Sequence, residues 1–481
     1  MFSIQNSKMI VQRSNLDPIE LPPTLKRLFE DPHEEKIESF IICSQKQNSI
    51  SLDIFESAIC FGIEEDLRIE KKEKKEALQE KIADLFQARR LKELPIAECD
   101  GFGFFKKREF SVGTKLAIHA DFHGNLSAIE KFFDFVRSLS QGAEREVIPI
   151  ILGDLVDRGL ESFPTLACAL AHPKAEILRG NHESLTVNRN FLSVDELLFL
   201  NPSQWKIRDF SQVLQNGYKL LPLGLFVGCK EPSISKEYVL LAHGAFEPDL
   251  DFVDFLESPK KFFYFSKKDM QLSSRIQVLL QALPESFRES NVDPDLVFEY
   301  LENRQYSSHE IRMIVSALQV DLFMRSPIFP GSSVSIQEDL ERRRNSGKED
   351  LCSLWGRILP STKDDFMDLI GLHLSQRTIL AFLTLQSSLK TSVRGIIRGH
   401  DHIEEDFKGL IPVYTLPMSP SEGNGIGSSF SPPPLVLAKD AVLVLTVTGC
   451  KESDWKVEKW VRSQGASNYM SEGYVQIEWL V

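Results

Sequence analysis

Cysteine pairs, leader-like segments and long apolar runs are all missing from this sequence. The seven cysteines, at 43, 60, 99, 168, 229, 352 and 450, stand singly, and no CxxC occurs. An odd, scattered set argues against a disulfide framework and for a reducing, cytoplasmic setting. The first residues, MFSIQNSKMIVQRSN, contain no apolar core of the kind a secretory leader carries. No run of 18 apolar residues occurs, so no transmembrane helix is expected. Positive charge is also short: the formal net charge is −13, which weighs against a nonspecific nucleic-acid binder while leaving local phosphate sites open. Internal repeats are absent. What remains is 481 residues, 42% apolar and 26% charged, enough for a real core and for two or three domains.

Four texture zones follow along the chain. Residues 1–110 read as an N-terminal extension with a long, charged helix over 64–92, in which Leu78, Ile82, Leu85 and Phe86 form an apolar stripe. Residues 111–250 and 351–481 read as two halves of one layered core. In them KLAIHAD, EVIPIILGD, AEILRGN, YVLLAHG and SVRGIIRGH look like buried strands, separated by helical patterns such as LSAIEKFFDFVRSL and SFPTLACALA. Residues 251–350 read as a helical insertion: Ile276, Leu279, Leu280 and Leu283 share one face, and Ser307 with Glu310 has capping-box spacing before Ile311, Ile314, Val315 and Leu318. The 64–92 helix and this insertion are the candidate surfaces for a protein partner.

The strands end alike. In order, the ends are DFHGN (121–125), GDLVDRG (153–159), GNHES (180–184), HGAFEP (243–248) and GHDH (399–402). Ligands in α/β layers gather beyond the carboxyl ends of strands, and Asp, Asn and His are ligand types for divalent transition metals. Carboxylate oxygen with imidazole nitrogen suits manganese first, with iron or zinc as alternatives, and suits calcium less. Two such cations about 3.5–4 Å apart clamp a phosphate and activate water. A carboxylate shared by both ions offsets their repulsion, and a central strand would place it, which points to Asp154. Arg158 is positioned to hold phosphate oxygens. His182, beside Asn181, is positioned to meet a leaving oxygen, with Asp157 to orient it. Glu183 reads as a supporting group, and His119 as a satisfied core histidine.

Five motifs in this order resemble the calcineurin-like metallophosphoesterases, and among them the phosphoprotein phosphatases; GDLVDRG, LRGNHES and IIRGH are the nearest matches. The resemblance covers roughly 115–250 and 390–450. It implies an α/β fold, a β-sandwich of two mixed sheets flanked by helices. It implies two metals, the first on Asp121, His123 and Asp154, the second on Asp154, Asn181, His243 and His400. It implies Arg158 on the phosphate and His182, paired with Asp157, as proton donor. In the wider family a second histidine spaced as His402 joins the first metal. The implied activity is hydrolysis of phosphoserine, phosphothreonine or phosphotyrosine in proteins; hydrolysis of dinucleoside polyphosphates and an inactive scaffold are the alternatives. Bacterial members secreted as effectors carry large extra helical regions of this kind. The sequence departs from the family at Ala120 and Ala245, which replace glycines, and at Glu422, where a tyrosine is usual. The second phosphate-gripping arginine has no clear counterpart: Arg377 is the candidate and Arg357 the next.

Overall fold

A computed structural model describes residues 2–5, 8–11, 19–20, 77–89, 103–141, 146–159, 161–188, 204–248, 250–265, 273–288, 294–328, 332–345, 357–358, 366–367, 372–400, 413–415, 440–449, 455–462 and 470–474. The chain divides into two compact units, Met1–Gln79 with Asp195–Ile207, and Glu80–Val194 with Arg208–Val481. In the first, Phe2–Gln5, Lys8–Val11 and Ile19–Glu20 form a small antiparallel sheet.

The second unit is built on two six-stranded mixed sheets. One runs β7-β1-β5-β6-β8-β9, where β1 is Gly103–Phe110, β5 Gly224–Cys229, β6 Lys236–Ala242, β7 Phe262–Phe265, β8 Thr391–Arg398 and β9 Val413–Thr415. The other runs β12-β11-β10-β2-β3-β4, where β2 is Lys115–His119, β3 Val147–Ile151, β4 Glu176–Ile177, β10 Asp440–Thr446, β11 Lys456–Arg462 and β12 Met470–Tyr474. Within each sheet the strands that precede the polar motifs are parallel: β2 to β3 and β3 to β4 in one, β6 to β8 in the other. Their carboxyl ends therefore open on one rim.

Alternation explains the layers. On β2, Leu116 and Ile118 face the inter-sheet core with Ile148, Ile150, Val227, Val239, Leu241, Ile397, Leu443 and Leu445. The opposite face of β2 carries His119, which stacks on Phe122 at 4.3 Å between ring centroids. Helix α1, Leu126–Gln141, buries Ile129, Phe132 and Phe133, and α2 is Ser162–Ala171. On the other sheet, Phe105, Phe226, Tyr238 and Leu240 point away from the sandwich into a second core. That core is filled by Phe252 and Phe255 and by the helices α3 (Ser274–Leu280), α4 (Pro294–Glu302), α5 (Ser308–Arg325), α6 (Ile336–Asn345) and α7 (Gln376–Leu385).

Two strands lie where other structure was expected. Gly103–Phe110, inside the stretch read as an N-terminal extension, is an inner strand paired with β5 and β7. Phe262–Phe265, inside the stretch read as a helical insertion, is an edge strand. Of the helix expected over 64–92, residues 77–89 are described and are helical; Ile82 and Phe86 are buried, and a Cβ at Gly217 would lie 2.4 Å from the Phe86 ring. The capping box is present: Ser307 Oγ accepts from the Glu310 amide, and Glu310 accepts from the Ser307 amide at 2.8 Å. The arginine run at 342–344 belongs to α6, where Arg342 and Arg343 both pair with the buried carboxylate of Asp339.

Candidate active site

The polar motifs follow strands, and three of the five turns, DFHGN, GDLVDRG and GHDH, are strained. Asp121, His123, Asp154, Asp157, Arg158 and His400 all have positive φ, between 45° and 72°. Left-handed backbone is costly for side-chain-bearing residues, and its concentration at one rim marks a functional site. The loops hold one another in these conformations. The His123 amide donates to Asp154 O at 2.8 Å, the Asp121 amide to Gly153 O at 3.2 Å, and the Gly399 amide to His243 O at 3.1 Å.

Glycine is required where loops pass closest. Gly153 has φ of 99°, and a Cβ there would lie 2.3 Å from the Gly180 nitrogen. The glycine of GHDH is similar: a Cβ on Gly399 would lie 2.3 Å from Asp121 Oδ2.

The side chains converge on Asp154, which is fully buried. Its Oδ2 has no hydrogen-bond partner. Three imidazole nitrogens face that oxygen: His243 Nε2 at 3.3 Å, His123 Nε2 at 3.6 Å and His182 Nε2 at 3.9 Å. Asp121 Oδ1 is 3.9 Å from His123 Nε2. On the other side, Asn181 Oδ1 is 2.8 Å from His243 Nε2 and 3.1 Å from His400 Nδ1. Two sets of candidate ligand atoms result, His123–Asp154–His182 and Asp154–His243–His400, and Asp154 is common to both.

This arrangement fits a pair of divalent cations. A buried carboxylate oxygen without a hydrogen bond is expensive unless a cation meets it, and here it is ringed by nitrogens that are metal ligands when neutral. The other ring nitrogens are already held by backbone: His243 Nδ1 is 3.0 Å from Leu152 O, and His123 Nδ1 is 3.3 Å from Val156 O. Electrostatics agree. Burial disfavours charge on His243, yet the carboxylates of Asp154, Asp121 and Glu183 outweigh it and raise its pKa to about 9. Burial likewise works against an ionised Asp154, yet His243, His182 and His123 hold its pKa well below the usual carboxylate range.

Next to the ligand cluster is a second arrangement. His182 Nδ1 is 2.8 Å from Asp157 Oδ2, and its amide donates to Asp154 Oδ1 at 3.0 Å. Arg158 Nη2 lies 3.4 Å from His182 Nε2, so guanidinium and imidazole flank the same edge of the cluster.

Among the sequence candidates, Asp121, His123, Asp154, Asp157, Arg158, Asn181, His182, His243 and His400 are brought together. Arg377 is exposed in the first turn of α7, and among the described residues no hydrogen bond or ion pair joins it to the cluster. His402 and Glu422 lie outside the described residues, as does the side chain of Arg357. The strand before Asp154 is second from its sheet's edge, not central. The shared position of Asp154 comes instead from two sheets opening on one rim. Sequence reasoning missed Asn188 and Tyr218. Asn188 Nδ2 donates to Asp157 Oδ2 at 2.8 Å and to His182 O at 2.7 Å, and Tyr218 OH donates to Asn188 Oδ1 at 3.3 Å. An asparagine six residues past His182 and a tyrosine on a distant helix show no periodicity or motif that could have flagged them.

Residues 114–326 match the family described as calcineurin-like phosphoesterase. That stretch, under half of the chain, is what is similar to a calcineurin-like phosphoesterase domain. Among solved structures, this chain is similar to a protein serine/threonine phosphatase from Saccharomyces cerevisiae with similarity to human phosphatase PP5, at 14% identity and TM-score 0.42, over 84% of this chain and 90% of that one. A cold-active protein-tyrosine phosphatase from a Shewanella species matches at 14% identity and TM-score 0.34, over 76% and 82%. A putative diadenosine tetraphosphatase matches at 15% identity and TM-score 0.26, over 78% and 99%. At these TM-scores the likenesses carry no weight on what this chain acts on. Among its described residues, no helix is long and apolar enough to cross a membrane.

Proposed function

We propose that the chain is a dinuclear-metal phosphomonoesterase of the phosphoprotein phosphatase type, acting on phosphorylated side chains of proteins. The observation that carries this is the buried Asp154 Oδ2, faced by three imidazole nitrogens and flanked by Arg158 and His182. Asp121, His123 and Asp154 would hold one cation, and Asp154, Asn181, His243 and His400 the other, with manganese the first choice. Bound there, two divalent cations supply Lewis acidity toward a phosphoryl oxygen and toward the attacking water.

The chain's own groups do the rest. Arg158 offers a planar pair of N–H donors to phosphoryl oxygens. Asp157 fixes the ring of His182 through Nδ1, so Nε2 faces the cluster and is the atom from which a proton is delivered. In the reaction, the P–O bond to the substrate's side-chain oxygen breaks and a bond from phosphorus to the water oxygen forms. The proton on His182 Nε2 passes to the released oxygen, and a proton originating from water restores the imidazole. The leaving group therefore departs as an alcohol or phenol. Support for a protein substrate comes from the order of the five motifs and from the large helical layer built onto one sheet.

The test is hydrolysis of phosphoserine, phosphothreonine and phosphotyrosine peptides, with dinucleoside polyphosphates as the competing class, in added manganese. Asp154→Asn should abolish turnover and metal uptake together. His182→Ala should lower kcat about 10²–10⁴-fold while metal content stays unchanged. A chelator should abolish activity, and manganese should restore it. Turnover unchanged in both variants would overturn the mechanism. A preference for polyphosphates over every phosphopeptide would overturn the substrate class.

A further inference from the structure

We infer that Asn188 is a positioning residue for proton donation, acting through Asp157 and held in place by Tyr218; this rests on the reading of His182 as the proton donor. Asp157 Oδ2 receives two N–H groups, from His182 Nδ1 and from Asn188 Nδ2, each at 2.8 Å. The other Asn188 amide hydrogen goes to His182 O at 2.7 Å. Both hydrogens of one amide are thus committed to the two members of the His182–Asp157 pair. With its nitrogen so placed, Asn188 Oδ1 must face Tyr218 OH, 3.3 Å away.

The geometry is that of a clamp. The Asp157 amide donates to Ser162 Oγ at 3.1 Å, which holds the main chain. Asp157 Oδ1 has no hydrogen-bond partner in its buried setting, so the carboxylate rotamer is set by the Oδ2 contacts alone. Without Asn188, among the described hydrogen bonds His182 would be the one side chain bonded to the Asp157 carboxylate, while that carboxylate is in turn what holds His182 Nδ1. Asn188 breaks that circularity by tying the carboxylate to the backbone of the very residue it orients. Asn188 and Tyr218 are both buried, and the described bonds of Asn188 go to Asp157, His182 and Tyr218, not to the residues proposed above to hold the cations. The clamp therefore acts on the donor's aim and leaves the cations' ligands alone.

A positioning role has a distinct kinetic signature, because a leaving group that departs readily as an anion does not need the donor. The assay compares a phosphoserine peptide, whose alkoxide must be protonated, with 2,4-dinitrophenyl phosphate, whose phenoxide need not be, on the manganese-loaded full chain. Asn188→Ala should lower kcat on the phosphopeptide about 10–100-fold, the usual cost of losing a group that orients a site residue. KM should hold, and the aryl ester should show little or no loss. Tyr218→Phe, which removes one oxygen, should show the same pattern with a smaller loss. Asn188→Ala combined with His182→Ala should be no slower than His182→Ala alone.

Equal losses on the two substrates, full activity in Asn188→Ala, or losses that add to that of His182→Ala would each overturn the inference. Should Asn188→Ala fail to fold, Tyr218→Phe decides by the same comparison, and an equal loss or no loss overturns it. The two readings fail separately. If His182→Ala itself loses both substrates equally, the assignment of the donor is wrong. If His182→Ala discriminates between them and Asn188→Ala does not, only the role of Asn188 is wrong.

Discussion

At Glu183 one carboxylate accepts three backbone N–H groups: Asp154 at 2.9 Å, Leu155 at 2.8 Å and Gly180 at 2.7 Å. It pins the loop bearing Asp154 to the loop bearing Asn181 and His182, which makes it a support, as its place in GNHES suggested. Burial, reinforced by the negative charge of Asp154, lifts its pKa to about 7. Glu183→Gln keeps one acceptor oxygen but turns an NH2 toward a backbone N–H, leaving a buried donor unsatisfied. Unfolding in urea should show a loss of about 1–3 kcal/mol, with lower metal content at equal manganese. Glu183 was legible because a carboxylate beside the candidate ligand Asn181 and the proposed donor His182 has few other uses. Asn188 was not, because its role exists only once Tyr218 and Asp157 are beside it.

At the level of elements, an aromatic pair links the helical layer to the site. Phe382 of α7 stacks on Phe246 at 3.8 Å between centroids, and Phe246 is three residues past His243. Both rings are buried. Phe382→Ala should cost about 3–5 kcal/mol in equilibrium unfolding, the range for a buried aromatic truncated to alanine. It should also reduce turnover, since the loop that carries His243 loses its backing. A second link is Lys107 on β1, whose ammonium donates to Phe255 O at 2.9 Å, Leu256 O at 3.0 Å and Ser258 O, at the end of the short helix Val253–Glu257. The helices α3 and α5 were legible from apolar spacing and from the Ser307 cap, because those signals are local. The strand Phe262–Phe265 was not, because FFYF surrounded by helical patterns becomes a strand only when β1 lies beside it.

Across the whole second unit, the two sheets are bridged at one edge by charge. Glu176 on β4 pairs with Lys106 Nζ at 2.9 Å and with Arg108, both on β1. Burial opposes ionisation of Glu176, but Lys106 and Arg108 outweigh it and hold its pKa below the ordinary 4.5. A carboxylate whose pKa is depressed on folding contributes stability above its unfolded pKa and loses it as pH falls through the folded value. Wild type should therefore exceed Glu176→Gln in stability at pH 7. The margin is at most about 3–5 kcal/mol and smaller in practice, because the Arg108 side chain is 35% exposed. It should shrink steadily as the pH drops below 4.5, read by denaturant unfolding at a series of pH values.

What the amino-acid sequence determined by itself was the local pieces and the candidate ligand residues at their ends. Each motif ends a run of alternating or continuous apolar residues, and such runs become strands for reasons contained within a few residues; the residue types at their ends restrict the ligands they can bind. Asp121, His123, Asp154, Asn181, His243 and His400 could be named on that basis. What only the tertiary structure decided was which of these atoms face one another. The common position of Asp154 depends on parallel strands of two separate sheets opening at a single rim, with Gly153 and Gly399 allowing loops to pass within van der Waals distance. Contacts between residues far apart in the chain depend on packing that no local pattern encodes, so the Asn188–Tyr218 clamp is visible only in three dimensions.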